Sequence, residues 1–340
     1  MIICRWVSLR DVPPGHGHAG VTAAVDSLAR RASPRPSPTC SGGLGLLLLT
    51  VLIVPSLSFI MFTLIQGDVD GPVALARELG AYLAATFFQA DLGADVFRGA
   101  TFARTQGALD IVRQGLAPDV QLMFGGLLFG VAGGLAAGSF MAVAPRSLPS
   151  RALGVGAAFV LSSPVYWLGF VALILFSPGF GAALHLPFLS EVGGYQPFTE
   201  DPLAWLQAMW LPCVIAGAPL CAACARMAAG SLRSVLQDDA LRTARGKGAT
   251  EGRLLRRHAL PLAAPPVIAL VAVNTNLLLT NVALMETVFN IPGSLRFVER
   301  ALVNRDVDLA QALVVEATVL IVVANFLADA VHAWLDPRVR

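Results

Sequence analysis

The 340-residue chain has a hydrophobic content of 56%, a charged content of only 14% and a mean hydropathy of +0.69. Soluble domains carry about 25% charged residues, so water cannot cover most of this surface. The net charge of +2 gives no global electrostatic reason to bind nucleic acid. We therefore expect a protein that lipid covers over much of its surface.

Residues 1–43 differ from the rest because they are rich in proline, glycine and serine and have no helical period. Such a composition buries too little apolar surface to offset the entropy lost on ordering. Two interpretations stay open: a disordered cytoplasmic tail, or a start codon assigned too far upstream. The segment is not typical of a signal peptide.

Six long apolar stretches follow, each able to cross about 30 Å of hydrocarbon as a helix. They are Leu44–Ile65, Val120–Pro145, Ala152–Ser177, Pro202–Ala225, Ala259–Met285 and Leu309–Trp334. Because backbone groups in lipid must bond internally, these runs predict helices. We expect an all-α integral membrane protein with a first transmembrane helix at 44–65, an external segment at 66–119 and a five-helix core at 120–340. Internal prolines predict kinks, and the glycine-rich 125–138 run predicts close helix packing.

Loop charges predict the orientation of these six spans. Arginine is concentrated in the N-terminal tail, in 146–151, in 231–258 and at the C-terminal end, whereas the loop at 178–204 has no Lys or Arg. Under the positive-inside rule, both termini are cytoplasmic.

The polar, basic loop 231–260 lies between the fourth and fifth spans. Its first predicted helix has acid at the start (Asp239), base toward the end and Gly248 at the stop, which suits the helix dipole and a glycine cap. A second helix is predicted to begin near Thr250 and to run into the membrane. Two short helices on the cytoplasmic face are suited to docking on another subunit and to transmitting its conformational change to the membrane helices.

This loop resembles the cytoplasmic signature of ABC importer permeases: Glu-Ala-Ala, three residues, Gly, nine residues, an apolar residue, one residue, Leu-Pro. The spacing matches throughout, although two of the first three residues and His258 depart from the signature. The local form Arg-Thr-Ala-Arg-x-Lys-Gly is similar to the dipeptide/oligopeptide/nickel branch. The matching positions are Arg242, Thr243, Ala244, Gly248, Leu260 and Pro261.

Further motifs resemble the same branch in the same order, over about residues 44–340. Met285–Gly293 is similar to its Glu-Thr-x-Phe-x-x-Pro-Gly motif, Ser162–Gly169 to a third-span motif, and the closing "LDPRVR" to its ending. The departures reflect either a divergent substrate or drift. They include Gln66, Val69, Ser294, Arg296 and Glu316.

The resemblance implies the six-helix architecture of type I ABC importer permeases in the bacterial inner membrane. Two permease chains, the second usually a different one, form the pore. One or two separate ATPase subunits bind ATP and Mg, and an extracytoplasmic binding protein delivers peptides or a related small solute such as a nickel chelate. Because this chain lacks Gly-x-x-x-x-Gly-Lys-[Ser/Thr], we expect that it does not hydrolyse ATP itself. As a pore-forming subunit it is expected to have no catalytic residue, cofactor or metal of its own.

The resemblance also implies which residues couple to the ATPase. For the basic residues among them, a general role in holding the cytoplasmic surface stays open. The coupling candidates are Asp239, Arg242, Thr243, Ala244, Arg245, Lys247, Gly248, Leu260 and Pro261.

Four polar residues in or beside the spans are candidates for the pore or the substrate path. Asn274 and Asn281 lie seven apart on one helix face and either line the pore or bond helices together. Glu286 belongs to the motif after the fifth span. An intramembrane carboxylate suggests function by default, so Glu316 is a pore contact, a buried hydrogen-bonding group, or a sign that the last span begins later.

Two other classes of protein remain as alternatives. A self-sufficient secondary transporter or channel gives no reason for the cytoplasmic signature. An intramembrane enzyme needs a nucleophile with its base or a metal set, and the spans show no His-Glu-x-x-His, no Gly-x-Ser-x-Gly and no paired aspartates.

Overall fold

The computed structural model describes residues 40–66, 71–88, 107–176, 194–238, 241, 246, 250–255, 259–304 and 306–335. By internal contacts the chain divides into Met1–Gly45 and Leu46–Arg340. The helix packing and the sites described below belong to the second unit.

The described residues are helical with no β-strand, which confirms the all-α prediction. The helices are α1 (Cys40–Gln66), α2 (Pro72–Phe88), α3 (Ala108–Val143), α4 (Leu148–Ser162), α5 (Val165–Phe176), α6 (Pro202–Leu236), α7 (Glu251–Leu254), α8 (Leu260–Val288), α9 (Val298–Val303) and α10 (Val307–Leu335), with a 3-10 turn at Leu295–Phe297.

Four of these helices are long and apolar enough to cross a membrane. They are α3, α6, α8 and, within α10, Val307–Leu327. The pair α4 and α5 supplies a fifth span if it is counted as one bent unit, and α1 contains a shorter apolar helix at Leu48–Leu64. The described residues therefore supply four or five of the six predicted spans.

The third predicted span differs from expectation because it is two helices, α4 and α5, bent by 116°. The break falls at Ser163, which is extended (φ −99°, ψ 138°) immediately before Pro164. A proline disfavours helical backbone at the preceding residue, so α4 ends there. In contrast, α3 continues through Pro118 and joins the end of the predicted external segment 66–119 to the second predicted span in one helix.

Polar caps define where two of the helices begin. The Asp201 side chain accepts hydrogen bonds from the backbone N–H groups of Leu203 and Ala204, both at 3.0 Å, and Pro202 occupies the first turn of α6. Ser147 accepts from the N–H of Ser150 at 3.3 Å at the start of α4. These side chains satisfy donors that have no partner within the helix.

Helices α3 and α6 pack closely against each other along the bundle, and glycine makes this approach possible. A Cβ on Gly217 would overlap the carbonyl oxygen of Gly126, and one on Gly134 would crowd Cys224. The close-packing prediction for the glycine-rich run is thus confirmed. Cys221 and Cys224, a Cys-x-x-Cys pair in the sequence, both pack in this contact, since Cys221 lies against Gly133.

The main core is formed by residues of α3, α5, α6, α8 and α10, among them Leu122, Met209 and Met285, which are at most 1% exposed. Large apolar side chains are exposed on the outer faces, for example Leu128 (71%) and Val273 (72%). An exposed apolar surface of this extent is what lipid covers.

Candidate functional site

One end of the bundle carries the polar segment that resembles the coupling signature. Helix α6 extends to Leu236, so the first part of the predicted loop 231–260 is helical. Leu254, on the short helix α7, is fully buried and packs with Leu232, Ala142 and Ala263. This cluster attaches the polar segment to the ends of α3, α6 and α8.

Two polar contacts reinforce the same end of the bundle. The Arg233 guanidinium donates to the Met141 carbonyl at 2.8 Å, joining α6 to α3. The Ser231 hydroxyl donates to the Ala263 carbonyl at 3.1 Å, joining α6 to α8. A displacement of the polar segment would therefore be passed to three long helices together.

The structure describes only part of the predicted coupling set. Leu260 and Pro261 form the first turn of α8, and Pro261 is exposed. Gly246, which lies between Arg245 and Lys247 in the sequence, is exposed with open space around it. The other members lie outside the described residues, and their role stays a prediction: Asp239, Arg242, Thr243, Ala244, Arg245, Lys247 and Gly248.

The two asparagines of α8 make different contacts. The Asn281 amide donates to the Ala216 carbonyl of α6 at 3.2 Å, a bond between helices. The Asn274 amide donates to the Leu270 carbonyl of its own helix at 2.8 Å. Asn281 thus joins two helices, as one of the two interpretations of this pair expects.

At the opposite end of the bundle, about 35 Å away along α3 at 1.5 Å per residue, a tight turn follows α8. Asn290 has a positive φ of 51°, and the N–H of Ile291 donates to the Glu286 carbonyl at 2.9 Å. This is a Schellman cap, and the buried Ile291 supplies its apolar contact. The turn returns Gly293 and Ser294 to the helix bundle.

Three carboxyl groups meet beneath this turn. Asp119 of α3 and Glu286 of α8 are fully buried, and Glu316 of α10 is 5% exposed. The Ser294 hydroxyl contacts both Asp119 Oδ2 and Glu316 Oε2, the latter at 2.5 Å. The Ser294 N–H donates to Asp119 at 3.1 Å.

The rest of the turn completes the carboxyl cluster, which we define as Asp119, Glu286 and Glu316. Glu286 Oε2 accepts from the backbone N–H of Arg296 at 2.8 Å. A Cβ on Gly293 would overlap the carboxylates of Asp119 and Glu286, so only glycine fits there. Of the interpretations offered for Glu316, the geometry matches a buried hydrogen-bonding group.

The sequence patterns indicate Glu286 and Glu316 but not Asp119, and they mark Ser294 only as a departure from the family pattern. The predicted external segment ends at Asp119, whereas this residue lies inside α3. The available signal was the charged residue directly preceding an apolar run. Its partner Ser294 is 175 positions away, which no local pattern reveals.

A second polar contact at this end surrounds Gln121 of α3. Its Oε1 accepts from the Trp205 indole at 2.8 Å and from the Tyr195 hydroxyl at 3.2 Å. Burial raises the pKa of the Tyr195 phenol above its ordinary value, so it stays a hydrogen-bond donor. The Tyr195 bond attaches the segment before α6 to α3, and the Trp205 bond attaches the first turn of α6 to α3.

Comparisons with known proteins identify the sequence family of this chain. The family described as "Binding-protein-dependent transport system inner membrane component" matches residues 134–340. The probable peptide ABC transporter permease protein y4tP of Sinorhizobium fredii is 30% identical over 83% of this chain and 92% of its own length. The dipeptide transport system permease protein DppB of Escherichia coli is 30% identical over 63% of this chain and 68% of its own.

A solved structure supports the fold. The structure titled "Inward facing conformations of the MetNI methionine ABC transporter" matches with a TM-score of 0.50 at 17% identity, covering 67% of this chain and 97% of that chain. Together with the apolar helices and the matched sequence family, this shows that the chain is a multi-pass inner-membrane protein and belongs to the binding-protein-dependent transport system inner membrane component family, the permease subunits of ATP-driven importers.

Proposed function

We propose that this permease forms the pore for peptides or a related small solute that an extracytoplasmic binding protein delivers. In this proposal the 239–248 segment docks on a separate ABC ATPase, which holds the ATP and Mg. A second permease chain completes the pore. Both termini face the cytoplasm, as the arginine distribution favours.

The observation that carries the proposal is the attachment of the polar segment to the bundle. Leu254 is fully buried among residues of α3, α6 and α8, and Arg233 and Ser231 add bonds between these helices. A docked ATPase that moves this segment therefore moves the long helices as rigid bodies, which is the motion alternating access requires.

Peptide as the solute class rests on the relatives, since both sequence relatives described above carry peptide or dipeptide in their names. A nickel chelate remains within the proposed class.

Co-purification tests the docking step. Gly246→Asp introduces a charge at an exposed position of the segment where a side chain meets no neighbour, so folding is expected to persist. Gly80→Asp is the matched control, since Gly80 is also exposed with open space around it. The tagged chain is isolated from native membranes, and its partners are identified by mass spectrometry.

We expect the wild type and Gly80→Asp to retain an ATPase with a P-loop and a second permease, and Gly246→Asp to lose the ATPase. If the wild type retains no ATPase while other membrane complexes survive, the docking proposal fails. Uptake that resists ATP depletion but stops with a protonophore would then favour a secondary transporter.

A further inference from the structure

The hydrogen atoms available in the carboxyl cluster impose a condition on its protonation. The Ser294 hydroxyl has one hydrogen, yet its oxygen is in hydrogen-bond contact with both Asp119 Oδ2 and Glu316 Oε2. The hydroxyl can donate to one of them only. The other contact is a hydrogen bond only if that carboxyl group itself carries a hydrogen.

Carboxyl oxygens without hydrogen-bond partners in the same cluster also indicate protonation. Glu286 Oε1 and Glu316 Oε1 are buried and have no hydrogen-bond partner among the described residues. A buried ionised carboxylate with an unpaired oxygen is costly, whereas a protonated one carries no net charge. The carboxylates of Asp119 and Glu286 both reach the space that a Cβ on Gly293 would occupy, and Glu316 contacts the same Ser294 hydroxyl as Asp119. Three negative charges this close together would repel strongly.

No cation in the described part of the chain balances these charges. Arg296 contributes its backbone N–H, while its guanidinium bonds Asn290 Oδ1 at 3.3 Å and lies 4.8 Å from the Phe297 ring centroid. The other charged groups described on the helices packed around the cluster are Asp110, Arg113, Glu299, Arg300, Asp306 and Asp308. No ion pair joins any described Arg or Lys to the three carboxylates.

We propose that the carboxyl cluster is a proton-binding site. One proton from water resides on Glu316, which donates it to the Ser294 hydroxyl while that hydroxyl donates its own hydrogen to Asp119, and this chain of bonds holds the turn Asn290–Ser294 against α3 and α10. When the proton is lost, the ionised carboxylates under the turn repel one another, and the turn is released from α3 and α10. The site requires neither the solute nor the ATPase, so it stands or falls independently of the proposed function.

The sign of the pH dependence follows from proton counting. The folded chain holds a proton that the unfolded chain, with its carboxylates in water, has released at neutral pH. Because the native state binds more protons, its stability falls as pH rises. This slope is opposite to that of a chain stabilised by ionised carboxylates in salt bridges.

Infrared spectroscopy of the full-length chain in lipid nanodiscs detects such a proton directly. The wild type is expected to show a carbonyl stretch of a buried carboxylic acid that disappears on titration from about pH 5 to about pH 9. The double variant Asp119→Asn with Glu316→Gln should lose this titrating band, and any acid band that remains belongs to Glu286. Glu299→Gln on α9 is the matched control, since Glu299 is an exposed carboxylate close in sequence to the turn, and it should retain the band.

Thermal unfolding provides a second readout. The wild type and Glu299→Gln should lose several degrees of Tm over the same pH range, whereas Glu316→Gln, which is neutral at every pH, should flatten this slope. Ser294→Ala removes only the bridging hydroxyl, so the pH at which the infrared band disappears should shift. That variant keeps the proposal testable if the double variant does not fold.

Three results would overturn the proposal. They are a wild type with no titrating carboxylic-acid band, a band that persists unchanged in the double variant or in Ser294→Ala, and a Tm slope that Glu316→Gln leaves intact. A Tm that rises with Na⁺ or Ca²⁺ at fixed pH in the wild type but not in Glu316→Gln would assign the site to a metal cation instead.

Discussion

At the residue scale, Gly293 is the position where space is most restricted, because it brings the turn after α8 onto two buried carboxylates. A Cβ there would overlap Asp119 and Glu286, neither of which can move into solvent. We expect Gly293→Ala to destabilise the chain by about 1–3 kcal/mol through overpacking. Thermal unfolding in detergent measures this loss. Gly80→Ala, in open space on α2, should be neutral or slightly stabilising.

The two asparagines of α8 form a natural matched pair. Asn281→Ala removes a bond to α6 and should cost about 0.6 kcal/mol, the average for such bonds between membrane helices. Asn274→Ala removes a bond within α8 and should cost less. Equal Tm values for the two variants, or the reverse order, would contradict this assignment.

Sequence reasoning at this scale identified two of the three clustered carboxylates and none of their contacts. Glu316 was notable because a carboxylate inside a span is costly. The hydrogen bond between Glu316 and Ser294 depends on the turn after α8, whose shape follows from the cap at Asn290. The bond between Ser294 and Asp119 depends on how α3 packs against that turn. The site is hard to predict because its residues are far apart in the sequence, although each of them is chemically distinctive.

At the element scale, the effect of each proline depends on where it lies. Pro164 ends α4, whereas Pro118, Pro212 and Pro219 lie inside continuous helices. The apolar runs therefore predicted where helices occur but not which proline breaks one. That outcome depends on whether neighbouring helices satisfy the freed backbone groups, which is a tertiary property.

The contact between α3 and α6 gives a prediction for a whole helix pair. Gly217→Ala would overlap a backbone oxygen of Gly126, which cannot rotate away as a side chain does. The two helices must separate, and we expect a loss of about 1–3 kcal/mol in stability. Gly156→Ala on α4, where an added Cβ meets no atom within 4 Å, is the control and should leave Tm unchanged or raise it slightly. A tolerated Gly217→Ala would mean that the helices are farther apart.

At the scale of the whole molecule, the polar segment and the carboxyl cluster lie at opposite ends of the same long helices. If the polar segment transmits force through Leu254, then Leu254→Ala should lower solute uptake while the ATPase stays bound. Its fully buried side chain contributes about 2–5 kcal/mol of packing. Uptake and ATP hydrolysis in proteoliposomes of the complete complex measure the coupling. Leu262→Ala, 52% exposed on α8, is the control.

If Leu254→Ala lowers uptake and hydrolysis in equal proportion, Leu254 contributes to the stability of the fold and not to coupling.

The membrane class and the family were predictable at this scale, because composition and ordered motifs are properties of the whole chain. The solute was not predictable, since its recognition depends on side chains that the fold brings together and on a separate binding protein.

The glycine contact between α3 and α6 also has a genetic consequence. Every single-nucleotide change in a glycine codon that alters the amino acid introduces a side chain with a Cβ, so no missense step from Gly126 or Gly217 is conservative in size. At Gly217 even the smallest such step meets backbone. The outward-facing Leu128 and Val273 can be exchanged for other apolar residues without such a clash. Mutational drift should therefore accumulate on the lipid-facing surface and be purged along this helix contact.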